Sequence, residues 1–237
     1  MSSGPGVPPA LCLVIPAYRA AAAIAGVVAR ACRSAPGAAV IVVDDGSDDG
    51  TACAADAAGA EVLRQPTNRG KGRAIAAGIS AAVGAGAEVI VTLDADGQHP
   101  PEAIPLLVEP VAAGRCDLVV GSRTRDARLM PAGRQLSNWL SSALLSRAVG
   151  FAVPDSQSGF RAMRREVVAS VRPSGARYEY ETEFLFLAAR SGFRIAAVTV
   201  PTVYGAPSHF RYGADTLAVA SVFLRHWRPI LLGPESR

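Results

Sequence analysis

Short apolar runs that stop abruptly on acidic or turn residues recur along the first half of the chain. Leu11–Ile15 ends at Pro16, Val40–Val43 at Asp44-Asp45, Val89–Leu93 at Asp94, and Leu118–Gly121 at Ser122-Arg123. Runs of this length, rich in valine and isoleucine, read as strands buried on both faces. Glu61–Arg64 reads as a shorter third strand. Pro16-Ala17-Tyr18-Arg19 reads as the exit loop of the first. Between the strands the pattern turns helical. An alanine-rich segment runs to about Ser34. A second reaches about Ala58, with Ser47 or Asp48 as its cap and Gly46 in the preceding turn. A third carries Ile75, Ile79 and Val83 at i, i+4, i+8, and a fourth opens on proline and spans Pro101–Ala113. Such alternation predicts an α/β protein with a mostly parallel sheet and helices on both faces.

Past residue 121 the rhythm changes. Arg125–Gly133 is polar, broken by Pro131, and reads as a loop. Gln135–Val149 reads as a helix, and Asp155–Arg161 as a loop leading into a helix that carries Arg161–Ser170. Thr182–Ser191 reads as a helix, Arg194–Val200 as a strand, and Asp215–Trp227 as a last helix. No internal repeat or low-complexity linker is present.

The chemistry gathers at the ends of strands. In an open α/β sheet, ligands bind outside the carboxyl ends of the strands. Asp94 and Asp96 stand there at i, i+2, followed by Gly97 and Pro100, where the chain leaves the sheet. Two carboxylates held close repel unless a cation sits between them. A hard ion, Mg²⁺ or Mn²⁺, bridging to substrate phosphates answers that need. The plain alternative is an acidic turn that caps the next helix. Asp44 and Asp45 offer further carboxylates that can accept hydrogen bonds from a base or a ribose, or merely start a helix. GxGxxG after the first strand and GxxxxGK[ST] are both absent, which disfavours a dinucleotide-dependent oxidoreductase and a P-loop enzyme.

The chain has 237 residues, half of them hydrophobic, enough for one large domain with a full core. Residues 1–113 carry 7 basic and 11 acidic side chains, and residues 114–237 carry 17 and 9. An acidic half able to hold a metal is thus joined to a basic half able to meet phosphates or an anionic surface. Cys12, Cys32, Cys53 and Cys116 form no CxxC pair and read as small core residues of a reducing compartment. Met1–Pro9 lacks a basic region, Leu11–Ile15 is too short for a signal peptide, and no run of about 20 apolar residues exists.

VIPAYRA, VVDDGSDDGT, NRGKGRA, DADGQHPPE, GSR, and QSGFRAMRRE with YEYETEF follow one another from about Leu11 to Arg211. Together they resemble family 2 glycosyltransferases of the GT-A fold, Rossmann-like, and within them the dolichol- or polyprenyl-phosphate sugar synthases. The resemblance implies one catalytic domain, with residues 10–122 for nucleotide sugar and metal and 123–213 for acceptor. The remainder, 214–237, would be a C-terminal helix. Pro16, Ala17, Tyr18, Asp44, Asp45, Lys71, Asp94, Ala95, Asp96 and Arg134 would hold the donor. Asp94, Asp96 and Gln98 would ligate Mg²⁺ or Mn²⁺. Ser158, Gly159, Phe160, Arg161 and Glu183 would line the acceptor side. Asp96, Arg123, Arg161 and Glu181 would carry the chemistry. The implied partners are a nucleoside-diphosphate sugar and a lipid phosphate, with no nucleic acid. Where the family has an acidic residue after its first tyrosine, Arg19 and Ala20 stand here, and no QxxRW box is present.

Such an enzyme moves a hexose with inversion while cations stabilise charge on the departing diphosphate. A lipid-phosphate acceptor is already ionised and needs a cationic seat, for which Arg161 is the candidate. A hydroxyl acceptor needs a carboxylate base, for which Glu181 and Asp155 are the candidates. A nucleotidyltransferase or a non-catalytic nucleotide-sugar binder is the reading from another class. Leu217, Val219, Val222, Phe223 and Leu224, followed by Arg225, Trp227 and Arg228, suit either a bilayer interface or a helix packed on the core. The implied location is cytoplasmic, peripheral on the membrane face.

Overall fold

Burial on both faces is what the apolar runs demand, and the computed structural model meets that demand with a single sheet. It describes residues 10–123, 142–143, 146–147, 155–177, 179–201, 220–222 and 224–226. In chain order the elements are β1 (Leu11–Ala17), α1 (Ala21–Ser34), β2 (Ala39–Asp44), α2 (Thr51–Ala57), β3 (Glu61–Arg64), α3 (Lys71–Gly84) and β4 (Val89–Thr92). A 3₁₀ turn, Pro101–Ala103, leads into α4 (Ile104–Ala112). Then come β5 (Leu118–Arg123), β6 (Arg161–Arg164), α5 (Arg165–Ser170), α6 (Glu179–Arg190) and β7 (Ile195–Val200).

The strands lie in the order β3-β2-β1-β4-β6-β5-β7. All neighbours are parallel except β6, which runs antiparallel to both β4 and β5. The order reverses between β1 and β4, so a crevice opens at their carboxyl ends. Alternate side chains of β1 serve opposite cores. Val14 packs with Val43, Ile75, Ile79 and Phe184 on one face. Leu13 and Ile15 pack with Ile24, Val28 and Leu107 on the other. Each such side chain, once fully buried, contributes about 1.5–3 kcal/mol. Helix α3 lies so close to the sheet that a Cβ on Gly78 would run into Val14 and come within 2.9 Å of Val43.

Three expectations change. The first strand does not end at Ile15 but takes in Pro16 and Ala17, opposite Val43 and Asp44. Val14 accepts from Leu93 N on the β4 side. Pro16, two residues on, presents the same side where β4 is already leaving, so its missing N–H breaks no ladder. Arg161–Arg164 is a strand, not the start of a helix, and the helix begins at Arg165. Ser47 and Asp48 do not cap α2, whose N-cap is Gly50 at φ 85°. The loop after β2 instead caps α1: Ser47 Oγ accepts from Arg19 N (2.9 Å), Thr51 Oγ1 from Ala20 N (2.8 Å) and Asp49 Oδ2 from Ala21 N (3.2 Å). Ala20 N and Ala21 N are among the N–H groups that a helix start leaves without partners.

Cys12 and Cys116 are buried, whereas Cys53 is exposed and Cys32 half-buried, so only two are core residues. Among the described residues, no helix is long and apolar enough to cross a membrane. Of the last helix, 220–222 and 224–226 are described. Val222 is buried and Leu224 is 74% exposed. Leu217, Val219, Phe223, Trp227 and Arg228 lie outside the described residues, as do the loop 125–133 and most of 135–149.

Candidate active site

Asp94 leaves the sheet two residues past β4, beside the point where the strand order reverses. Lys71, the first residue of α3, reaches over to it. Its Nζ is 2.8 Å from Asp94 Oδ1 and 2.8 Å from Glu181 Oε1 on α6. Glu181 is 2% exposed, and among the described residues neither of its oxygens makes a hydrogen bond of good geometry. The ammonium ion is therefore what compensates that buried charge.

Under this pair lies a second cation. Arg161, the first residue of β6, is 3% exposed. Its guanidinium donates to Ser158 O (2.8 Å) and Ser156 O (3.1 Å). Burial lowers its pKa, opposed by the charges of Glu181, Tyr180, Asp155 and Asp94. The side chain alternates with Ala162, so it shares a strand face with Met163 and points into the protein. Expected to line the acceptor side, Arg161 is buried, with Asp94 and Glu181 among the charges near it.

The turn before Arg161 is moulded on Asp94. A Cβ on Gly159 would lie 2.6 Å from Asp94 Oδ1. Thr92 Oγ1 donates to Gly159 O (2.7 Å) and Ser158 Oγ to Gly121 O (2.6 Å), tying the turn to β4 and β5. Ser158 and Phe160 also face inward, and Phe160 packs against His99 with ring centroids 5.4 Å apart. Gly159 is the residue of this turn whose missing Cβ makes room for Asp94. Asp96 Oδ1 accepts from Gln98 N (2.9 Å), which closes the acidic turn. Glu102, further along the same loop, is gripped by Arg30 of α1 (2.9 and 2.6 Å), whose hydrogen bond takes its pKa down to about 2.

Asp44 and Asp45 are buried at the end of β2. Asp45 accepts from Arg69 N and Gly70 N, both at 2.8 Å, and so holds the turn that presents Lys71. Asp44 Oδ1 accepts from Ser47 N (3.0 Å), while Oδ2 has no hydrogen-bond partner among the described residues and lies 3.6 Å from Arg64 Nε. A cavity of about 380 Å³ opens beside it, lined by Gly46, Ser47, Arg64, Gln65 and Pro66. Gly46 is needed there: at φ 74° its Cβ would lie 2.6 Å from Thr67. Pro16 and Ala17 pair with Val43 and Asp44 at this edge, and Ala95 is buried in the acidic turn. Tyr18 carries Arg19 over its ring at 5.5 Å, and Arg19 in turn pairs with Asp48. Arg123 ends β5, with its backbone opposite Val200. Arg134 and Tyr178 lie outside the described residues.

Sequence reading missed Thr92, Gly121, Arg64 and Gln65 as parts of this edge. It also missed Glu179, whose Oε1 accepts from Ala176 N (3.0 Å).

A sheet reversing beside an acidic turn, with the second half of the chain folded back against that turn, is the arrangement of the GT-A glycosyltransferases. Solved structures agree. The chain superposes on glucosyl-3-phosphoglycerate synthase from Mycobacterium tuberculosis, in complex with Mn²⁺, UDP and glucosyl-3-phosphoglycerate, with a TM-score of 0.74 and 26% identity. The match covers 92% of this chain and 79% of that one. A complex of the same synthase with Mg²⁺ and UDP gives 0.73 at 25% identity, with the same coverage. The chain is a glycosyltransferase of this fold. It belongs to glycosyl transferase family 2, whose model matches residues 12–172. It is 31% identical over 225 residues to the undecaprenyl-phosphate mannosyltransferase of Micrococcus luteus, covering 90% of this chain and 92% of the other. To the polyprenol monophosphomannose synthase of Mycolicibacterium smegmatis it is 30% identical over 200 residues, covering 79% and 75%.

The donor set at the acidic turn fits a hard divalent ion. Asp94 and Asp96 offer carboxylate oxygens and Gln98 an amide oxygen. Lys71 already stands as the cation at Asp94. Among the described residues there is no group of three or more His, Cys, Asp or Glu side chains suited to a metal.

Proposed function

We propose that the chain transfers a hexose from a UDP- or GDP-sugar to a polyprenyl phosphate, with inversion and with Mg²⁺ or Mn²⁺. The observation that carries this reading is the single ammonium shared by Asp94 and Glu181 where the sheet reverses. Carboxylates gathered with cations at the carboxyl ends of the strands suit a metal-bound diphosphate. Asp94, Asp96 and Gln98 would hold the metal, with donor phosphate oxygens completing its shell. A metal held by these residues would supply positive charge for the leaving diphosphate. The names of the relatives in Micrococcus and Mycolicibacterium support the acceptor class.

In the reaction the acceptor oxygen bonds the anomeric carbon from the face opposite the donor, and the bond from that carbon to the diphosphate oxygen breaks. Lys71 supplies positive charge on the donor side, and Arg161 adds a second, buried positive charge near Asp94 and Glu181. A phosphate acceptor brings no proton to remove. Association with the cytoplasmic membrane face would bring the enzyme to a lipid acceptor. The basic balance of residues 114–237 supports that location.

A second reading, transfer to a hydroxyl, draws support from the phosphoglycerate-containing product bound to the solved neighbour. The test is release of nucleoside diphosphate from UDP- and GDP-sugars, with and without polyprenyl phosphate. Replacing Asp94 and Asp96 together by Asn should lower it about 10³-fold, a loss of the size seen when transition-state charge loses its partner. Undiminished transfer by that variant in chelator defeats the reading. Glu181→Gln and Asp155→Asn should retain transfer to polyprenyl phosphate. A drop of about 10²-fold in either would favour the hydroxyl acceptor, which needs a base.

A further inference from the structure

Helix α6 opens on three buried glutamates, Glu179, Glu181 and Glu183. Only Glu181 meets Lys71 directly. The other two hold the loop that precedes the helix. Glu179 Oε1 accepts from Ala176 N (3.0 Å) and Arg177 N (3.3 Å). Glu183 Oε2 accepts from Ser174 N and Gly175 N, both at 2.9 Å, and its Oε1 from Ser174 Oγ at 3.1 Å. Expected at the acceptor, Glu183 spends its carboxylate inside the protein. Burial pushes its pKa up, but the Gly175 amide, Arg225, Ser174 and His226 outweigh that and the net shift is downward.

That loop is pressed onto the turn that carries Lys71. Gly72 N donates to Ala176 O at 2.9 Å. A Cβ on Gly72 would lie 2.8 Å from Gly175 O, and one on Gly70 would run into Ala176 O. Lys71 sits between these two glycines. Its backbone is therefore fixed from one side by Asp45 and from the other by the loop that Glu183 holds. His226 Nε2 and Arg225 Nη1, on the C-terminal helix, approach Glu183 Oε1 at 3.4 and 3.6 Å.

We infer that Glu183 is a positioning residue: it fixes the Ser174–Ala176 loop, the loop fixes the Lys71 turn, and donor affinity therefore depends on a carboxylate that never touches the donor. The inference rests on Lys71 serving the donor side, as in the proposed reaction. In the full chain, Glu183→Ala should raise the donor KM about 10-fold with kcat changed far less, because the loss falls on binding. Glu183→Gln should stay near wild type, since its amide oxygen can accept both loop N–H groups. On a Lys71→Met background Glu183→Ala should add no further rise, the mark of two residues acting through one contact. Hydrogen exchange at the Gly72 amide should accelerate in Glu183→Ala and not in Glu183→Gln. Gly72→Ala strikes the same contact from the other side and should raise KM alike. An unchanged donor KM in Glu183→Ala, with only the melting temperature lowered, overturns the inference, as does a full multiplicative loss on the Lys71→Met background. Faster Gly72 exchange in a protein whose wild type binds no nucleotide sugar upholds the clamp and sinks the donor reading instead.

Discussion

The two ends of the sheet treat charge in opposite ways. Where β5 and β7 begin, Asp117 accepts from the backbone N of Arg194 (2.8 Å) and from its guanidinium (3.1 and 2.9 Å), with Arg164 at 3.5 Å. The Arg194 hydrogen bond leads in taking its pKa down to about 2. At the carboxyl ends of β1, β2 and β4, Asp94 and Glu181 share one ammonium, and the hydrogen bonds described for Arg161 go to carbonyls. A buried polar group without its hydrogen bond costs about 1–3 kcal/mol. One end is paired for stability. The other gathers Asp94 and Glu181 about Lys71, with the buried Arg161 guanidinium nearby.

Removing the buried cation should strain that contrast most. Arg161→Met would leave Asp94, Asp155 and Glu181 facing a neutral side chain, and should cost about 3 kcal/mol in urea unfolding at neutral pH. A loss well under 1 kcal/mol would mean that those carboxylates do not lean on it. Gly159→Ala tests the geometry instead of the charge. Its methyl would meet Asp94 Oδ1, so transfer should fall about 10-fold with about 1 kcal/mol of stability lost. Wild-type rates in that variant would show that Asp94 can shift freely.

The smallest effect belongs to the paired end. Asp117→Asn should cost about 1 kcal/mol and leave kcat unchanged, since it lies at the start of β5, on the rim opposite the acidic turn that follows β4. A carboxyl whose folded pKa lies below its unfolded one stabilises the fold at neutral pH. The contribution fades as pH falls from about 4 through about 2, so wild type and variant should converge there. A gap that persists at pH 2 would assign the effect to packing.

Much of the parallel half was legible because each strand is a continuous apolar run closed by a turn residue. Val89–Thr92 and the acidic turn after it follow from the local pattern alone. Strand β6 did not. Arg161–Arg164 is short, carries two arginines, and gains its identity only by slotting between β4 and β5. Read as helix, it left Arg161 free to line the acceptor side. Read as strand, its side chain falls on the face of Met163. The motif order pointed to Asp94, Lys71 and Glu181. Their joint contact is a long-range fact, made when α3 and α6 meet over β4, and no spacing along the chain encodes it. The Ser47–Thr51 segment shows the same limit. Its residues are good cap formers, yet the helix that they cap begins about 30 positions earlier.

Because β6 lies antiparallel beside β5, the chain departs at Arg123 and returns at Arg161 on adjacent strands, at the same rim as the acidic turn. The intervening stretch begins and finishes at the crevice mouth. Its last residues are committed before the strand begins: Gly159 borders Asp94 while the Ser156 and Ser158 carbonyls hold the Arg161 guanidinium, so the returning strand and the acidic turn are locked to one another.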